Sequence, residues 1–244
     1  MTILATALIS AFTSIVIVII SQLVSARSEI SKGERIERKE INSKYLNPLR
    51  LYLVENHLRL SEILYRIKRD NGKCIALLPV DSPIDLSSKD AAWFNGAGTY
   101  LASSAYLTAC LFAWLKTIRD NSPYLRLAKN EDTRLISLLV KVAAAFRLND
   151  GIYYVIQPSI GQDMLIDDGG RVRSYREFCE LLLDPATRVW MDRLINYYLE
   201  SGHGQKIKRI NSAIAAIEEL SAFLDSVVGG GDSVSARLRA GEIT

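Results

Sequence analysis

The first 26 residues contain no Lys, Arg, Asp or Glu, and that gap constrains the fold more than any other feature. Within it, Ile3 to Val24 supply about 22 mostly apolar residues, including the run Ile15-Val16-Ile17-Val18-Ile19-Ile20. Roughly 20 helical residues at about 1.5 Å each cross about 30 Å of hydrocarbon. The interspersed Ser10, Thr13, Ser14 and Ser21 fit such a helix, because their hydroxyls bond back to carbonyls one turn earlier. A cleaved signal peptide carries a basic segment ahead of a shorter apolar core. A buried core helix is the other alternative, and β-branched residues crowded at the terminus argue against it. The stretch predicts an uncleaved transmembrane anchor over residues 1–26, with the span at 3–24.

The basic residues fix its direction. Arg27, Lys32, Arg35, Arg38, Lys39, Lys44 and Arg50 all follow the apolar run, and no basic residue precedes it. Lys and Arg gather on the cytoplasmic side of a span. The expected topology is single-pass in the inner (plasma) membrane, N-terminus outside and the C-terminal domain cytoplasmic. Glu29, Glu34, Glu37 and Glu40 interleave with the cations, so residues 27–44 read as a solvated, charged juxtamembrane helix or linker with opposite charges one turn apart.

Residues 45–228 read as one α-helical domain. Asn47-Pro48 suggests an N-cap followed by proline at the first helical position. Leu46, Leu49, Leu53, Leu60, Ile63 and Ile67 recur every three or four residues, with Asn56 as a polar exception that requires a partner. Asn71-Gly72 closes this helix, and Pro79 and Pro83 mark a loop. No charge occurs from Ala91 to Leu115. The polar residues scattered there predict a buried helix from about Thr99 to Ile118, with a second membrane span as the alternative. A further helix covers Thr133 to Leu148. Met164 to Ile166 and Arg171 to Arg173, around Asp167-Asp168-Gly169-Gly170, predict a short β-hairpin. Asp184-Pro185 opens a helix running to Ser201-Gly202. Ile207, Ile210, Ile214, Ile217 and Leu224 line one face of the last helix, interrupted by Ser221. Bundle packing explains that stripe, and a coiled-coil contact is its alternative. Gly229-Gly230-Gly231 opens a flexible tail, 229–244. The fold class is all-α: a transmembrane helix, then a cytoplasmic bundle of about five or six helices with one short β-hairpin.

Residues that carry chemistry are few. With 30 basic and 27 acidic residues, the chain lacks the basic excess of a nucleic-acid binder. Cys74, Cys110 and Cys179 are far apart, which excludes the usual zinc spacings and predicts buried thiols in a reducing compartment. Asp163, Asp167 and Asp168 are too few for a cation site and suit an exposed turn. Asp90, Asp120 and Asp150 form no acid–base pair, and no GxSxG frames a serine. Ser201-Gly202-His203-Gly204-Gln205-Lys206 lacks the Walker spacing and reads as an interhelical loop. Tyr153-Tyr154 and Tyr197-Tyr198 read as core and boundary residues, with base stacking as the alternative. Only His57 and His203 offer imidazole chemistry. Arg50 and His57, seven residues apart, are similar to the Arg–His pair of HEPN-type ribonucleases, at the edge of that family's spacing. No residue is assigned as catalytic, cofactor-binding or metal-binding; no cofactor is expected, and a non-enzymatic role is favoured.

Three further segments form a pattern: Tyr100, Leu101, Ser103 and Tyr106; Gln157, Ile160, Gly161 and Met164; and Tyr175 and Phe178. It resembles a broad group of uncharacterised bacterial membrane-associated helical proteins across about 100–225. The resemblance implies a membrane-associated helical domain and no activity.

The expected role is a membrane-tethered interaction protein (scaffold, sensor or effector subunit). It binds the lipid bilayer through residues 3–24 and engages a protein partner or a second copy, with no nucleic-acid binding. A membrane-anchored HEPN-like ribonuclease acting in stress or defence is the alternative, and a pore or transporter-accessory subunit a further one.

Overall fold

The computed structural model describes residues 21–22, 29, 32–33, 36–79, 86–121, 127, 131–147, 151–166 and 171–228. The predicted anchor (apart from residues 21 and 22), the hairpin turn 167–170 and the tail 229–244 lie outside the described residues. The chain divides into two compact units, Met1–Ser43 and Lys44–Thr244. In the first, residues 21–22, 29, 32–33 and 36–41 are helical.

The second unit is all-α. Its helices are α1 (Asn47–Arg69), α2 (Ala91–Asn95), α3 (Thr99–Asn121), α4 (Glu131–Arg147), α5 (Ile156–Met164), α6 (Tyr175–Leu183), α7 (Pro185–Gly202) and α8 (Ile207–Val228). Eight α-helices among the described residues replace the expected five or six, because α2, α5 and α6 are short.

Asn47 does not cap α1. A π-helical turn, Asn42–Leu46, precedes the helix, and Leu46 at the cap position is itself helical with no side-chain cap. Pro48 supplies no N–H, and its ring clashes with the carbonyl one turn back in a regular helix. The wider π turn relieves that clash. The far end closes as expected: Asn71 and Gly72 take φ of 54° and 85°, and the Gly72 N–H bonds to the Ile67 carbonyl at 2.9 Å.

Cross-helix contacts give the bundle its order. Asn56 reaches the Leu107 carbonyl and Arg59 reaches Ser103, so α1 and α3 run antiparallel. Arg50 pairs with Asp225 and His57 with Glu218, so α1 and α8 do too. Lys141 pairs with Glu219 and Arg134 lies over the Phe223 ring, which sets α4 antiparallel to α8. Phe112 meets Phe146 at 5.4 Å between α3 and α4. The four form an up-down-up-down ring, α1-α3-α4-α8, with α5 to α7 inserted before the last member and packed on the outer side of α3.

α3 is therefore buried on both sides. Among the described residues it alone is long and apolar enough to cross a membrane, yet 78% of its apolar window is buried inside the domain. It is a core helix, in agreement with the first reading of the charge-free stretch.

No strand occurs among the described residues. Where the hairpin was expected, one isolated antiparallel bridge joins Leu165 and Val172, with hydrogen bonds from Ile166 to Arg171 and from Arg173 to Met164. Met164 itself ends α5. The helices that follow are firmly capped. Ser174 and Glu177 form a reciprocal capping box on α6, and Asp184 accepts from the Ala186 N–H at 3.0 Å to start α7 ahead of Pro185.

Candidate functional site

Arg50 and His57 lie on the flank of α1 that faces α8. The Arg50 guanidinium meets Asp225 at 2.5 Å and His57 Nε2 meets Glu218 at 2.9 Å. The histidine is 5% exposed. Both side chains are committed to clamping two helices of the same chain.

The next polar assembly lies one turn on. Arg59 donates to the Tyr100 carbonyl and to the hydroxyls of Ser103 and Ser104, while its guanidinium stacks 4.4 Å from the Tyr100 ring centre. Arg66 lies over the same ring at 5.2 Å and takes both its bonds to Glu62. Burial pulls the Glu62 carboxyl upward, but the hydrogen bonds and charge of Arg66, with Arg59 beside it, hold it below its ordinary value. Every guanidinium in this group has partners within the fold.

The patterned residues divide in the same way. Tyr106 donates to the Arg173 carbonyl at 3.0 Å and packs edge-on against Tyr175 and obliquely against Phe178. Tyr175 donates to the Phe94 carbonyl. Gln157 is buried and donates to the carbonyls of Ala143 and Ile152. A Cβ on Gly161 would stand 2.7 Å from the Phe112 carbonyl oxygen, so glycine lets α5 lie directly on the α3 backbone. Leu101, Ile160, Met164 and Phe178 are core. In this chain Tyr100 and Ser103 belong to the seam between α1 and α3, and Tyr106, Gly161, Tyr175 and Phe178 to the docking of α5 and α6 on α3.

The remaining candidates are also structural. All three cysteines are free and buried. Burial pushes the Cys110 thiol up to about 12 despite the hydroxyls of Tyr106 and Tyr52 beside it, and it raises Cys74 and Cys179 as well. None is a ready thiolate. Burial also raises Asp163, with Arg173 opposing; Asp167, Asp168 and Asp150 lie outside the described residues. Asp90 caps α2 through the Trp93 N–H, and Asp120 pairs with Lys116. No cluster able to hold a metal ion occurs among the described residues. In the 201–206 loop, Lys206 folds back onto Glu200 at 2.9 Å, and the Gly202 carbonyl accepts from the Cys74 N–H. This loop is an interhelical corner.

The two tyrosine pairs part company. Tyr197 and Tyr198 are fully buried, whereas Tyr153 and Tyr154 are exposed together with Val155 at 75%. Arg119 donates to the Tyr154 hydroxyl at 3.1 Å. Arg193 lies over the Tyr153 ring at 5.9 Å, and one turn before it on α7 stand the exposed Val189 and Trp190. Ile136 and Val140 of α4 continue the apolar surface across a shallow cleft of about 40 Å³. That cleft has room for roughly three waters. Comparison with known proteins finds no matching family model, curated protein or solved structure.

Proposed function

We propose that the chain is a membrane-tethered, non-catalytic helical domain, a scaffold, sensor or effector subunit held at the inner face of the membrane. One observation carries the reading. The side chains with the best claim to chemistry, Arg50, His57 and Arg59, are used as joints between helices, and Glu62 is taken up by Arg66 on its own helix. A domain that places its polar groups in joints has rigidity and surface to offer, and the charge-free stretch 3–24 supplies the means of location. The partner is a protein or a second copy, in addition to the bilayer.

The test is topological. The full chain with a C-terminal reporter that is active only in the cytoplasm should be active and should remain in the membrane after alkaline extraction. Release by alkali, or a reporter active only outside, would overturn the proposal.

A further inference from the structure

The exposed ridge of Tyr153, Tyr154, Val155, Val189 and Trp190 is tied to the fold by the Arg119 bond to the Tyr154 hydroxyl and by Arg193 over the Tyr153 ring. We infer that it is a lipid-facing surface that settles the domain on an anionic leaflet; this rests on the tether reading above. Three observations converge on a bilayer as the occupant.

The first is composition. Trp and Tyr combine an apolar body with a polar tip and favour the membrane–water boundary, and two valines extend the apolar part. The second is charge. Arg147 and Arg193 are exposed, and among the described residues neither forms an ion pair with a carboxylate. Arg147 ends α4 beside the ridge, where the Ile152 N–H bonds to the Phe146 carbonyl, and Arg193 lies over Tyr153. Among the described residues, Asp120 pairs with Lys116, and Asp192 with Arg188. The ridge is thus positive at its edges and apolar along its crest, complementary to anionic headgroups over acyl chains. The third is shape. A protein partner gains most by inserting an anchor side chain into a pocket, and the adjoining cleft, at about 40 Å³, is small beside the roughly 150 Å³ that encloses a benzene ring. On the tether reading, attachment to the same membrane raises the effective concentration of the surface at the bilayer, so a weak contact suffices.

The experiment uses the full chain with vesicles of phosphatidylcholine, alone or with about 30% phosphatidylglycerol. Trp190 fluorescence, taken as wild type minus Trp190→Phe, is quenched by shallow brominated lipid or by aqueous iodide. Bromolipid quenching is expected to be at least about twofold stronger in anionic vesicles, and to be lost in about 1 M salt and in Arg147→Gln/Arg193→Gln. Open access of iodide to Trp190 in both vesicle types overturns the proposal. So does shielding of Trp190 from both quenchers, which would mean that protein covers it. Flotation on neutral vesicles in high salt reports the tether alone. A chain that floats with Trp190 open keeps its tether and loses this surface. A chain that binds only anionic vesicles, through the two arginines, keeps the surface and loses the tether.

Discussion

The Thr108 hydroxyl donates to Asn56 Oδ1 at 2.7 Å inside the seam between α1 and α3. The amide orientation follows from its other end, where Nδ2 donates to the carbonyls of Tyr52 and Leu107. Thr108 has a single proton and gives it to Asn56, so the Tyr198 hydroxyl, 2.6 Å away, donates to Thr108. One polar residue in an apolar stripe thereby ties α1, α3 and α7 together. Asn56→Leu is expected to cost about 1–3 kcal/mol, because the buried Thr108 hydroxyl loses its acceptor and the Leu107 carbonyl its cross-helix donor. Adding Thr108→Val should cost less than the sum of the two single changes. Urea denaturation of the four variants checks both statements.

Gly161→Ala tests how closely α5 lies on α3. The new methyl would meet the Phe112 carbonyl oxygen, the Phe112 carbonyl carbon and the Ala113 nitrogen at 2.7–2.9 Å. Backbone on both sides cannot rotate away, so a loss of about 1–3 kcal/mol is expected. A thermal midpoint equal to that of wild type would contradict the contact.

The chain was legible in the sequence wherever a long periodic stretch ended in a local signal. α1, α7 and the need of Asn56 for a partner were readable for that reason. Asn47 does not act as a cap because the cap rule assumes that the helix starts there, whereas the backbone is already helical from 36. α6 carries its signal in Ser174-x-x-Glu177, the capping box that starts it. The ridge was harder to see. Tyr153-Tyr154 and Tyr197-Tyr198 are the same dipeptide, and only their settings separate them: a turn before α5 in one case, a helix among Leu194 and Ile195 in the other. Exposure of that kind depends on which helices arrive from elsewhere in the chain.

Arg50 and His57 should respond to mutation as structural residues. Arg50→Ala removes the guanidinium from Asp225, whose side chain is only 9% exposed, and about 1–3 kcal/mol should be lost. Asp225→Ala in the same background should restore part of it. His57→Ala should cost less, since Glu218 keeps access to water. Neither change should alter RNA in an assay that the wild type leaves uncut. Cleavage by wild type that disappears in both folded variants would establish the HEPN-like alternative.

Stability should fall in alkali. Burial holds the Cys110 thiol at about 12 against its ordinary 9.0, and the Tyr52 phenol at about 12 against 10.0. Between those values the unfolded chain has lost protons that the folded chain retains, so stability falls as pH rises. The decline should begin near pH 9 and continue toward 12. Cys110→Ala should flatten it, as read from urea midpoints across the range.

The burial of α3 has a consequence for how the protein is made. Of the helices that cover it, α1 and α2 precede it in the chain, and α4 to α7 follow. While a ribosome is still producing residues beyond 121, α3 has emerged with its outer side bare, apolar enough to be mistaken for a second span. On the proposed tether reading, its fate is settled by a race between α5 and α7, which shelter it, and the insertion machinery that the N-terminal segment would engage. A chain cut short after α4 would lose that race, and the same helix that organises the finished domain would then carry it into lipid or aggregate.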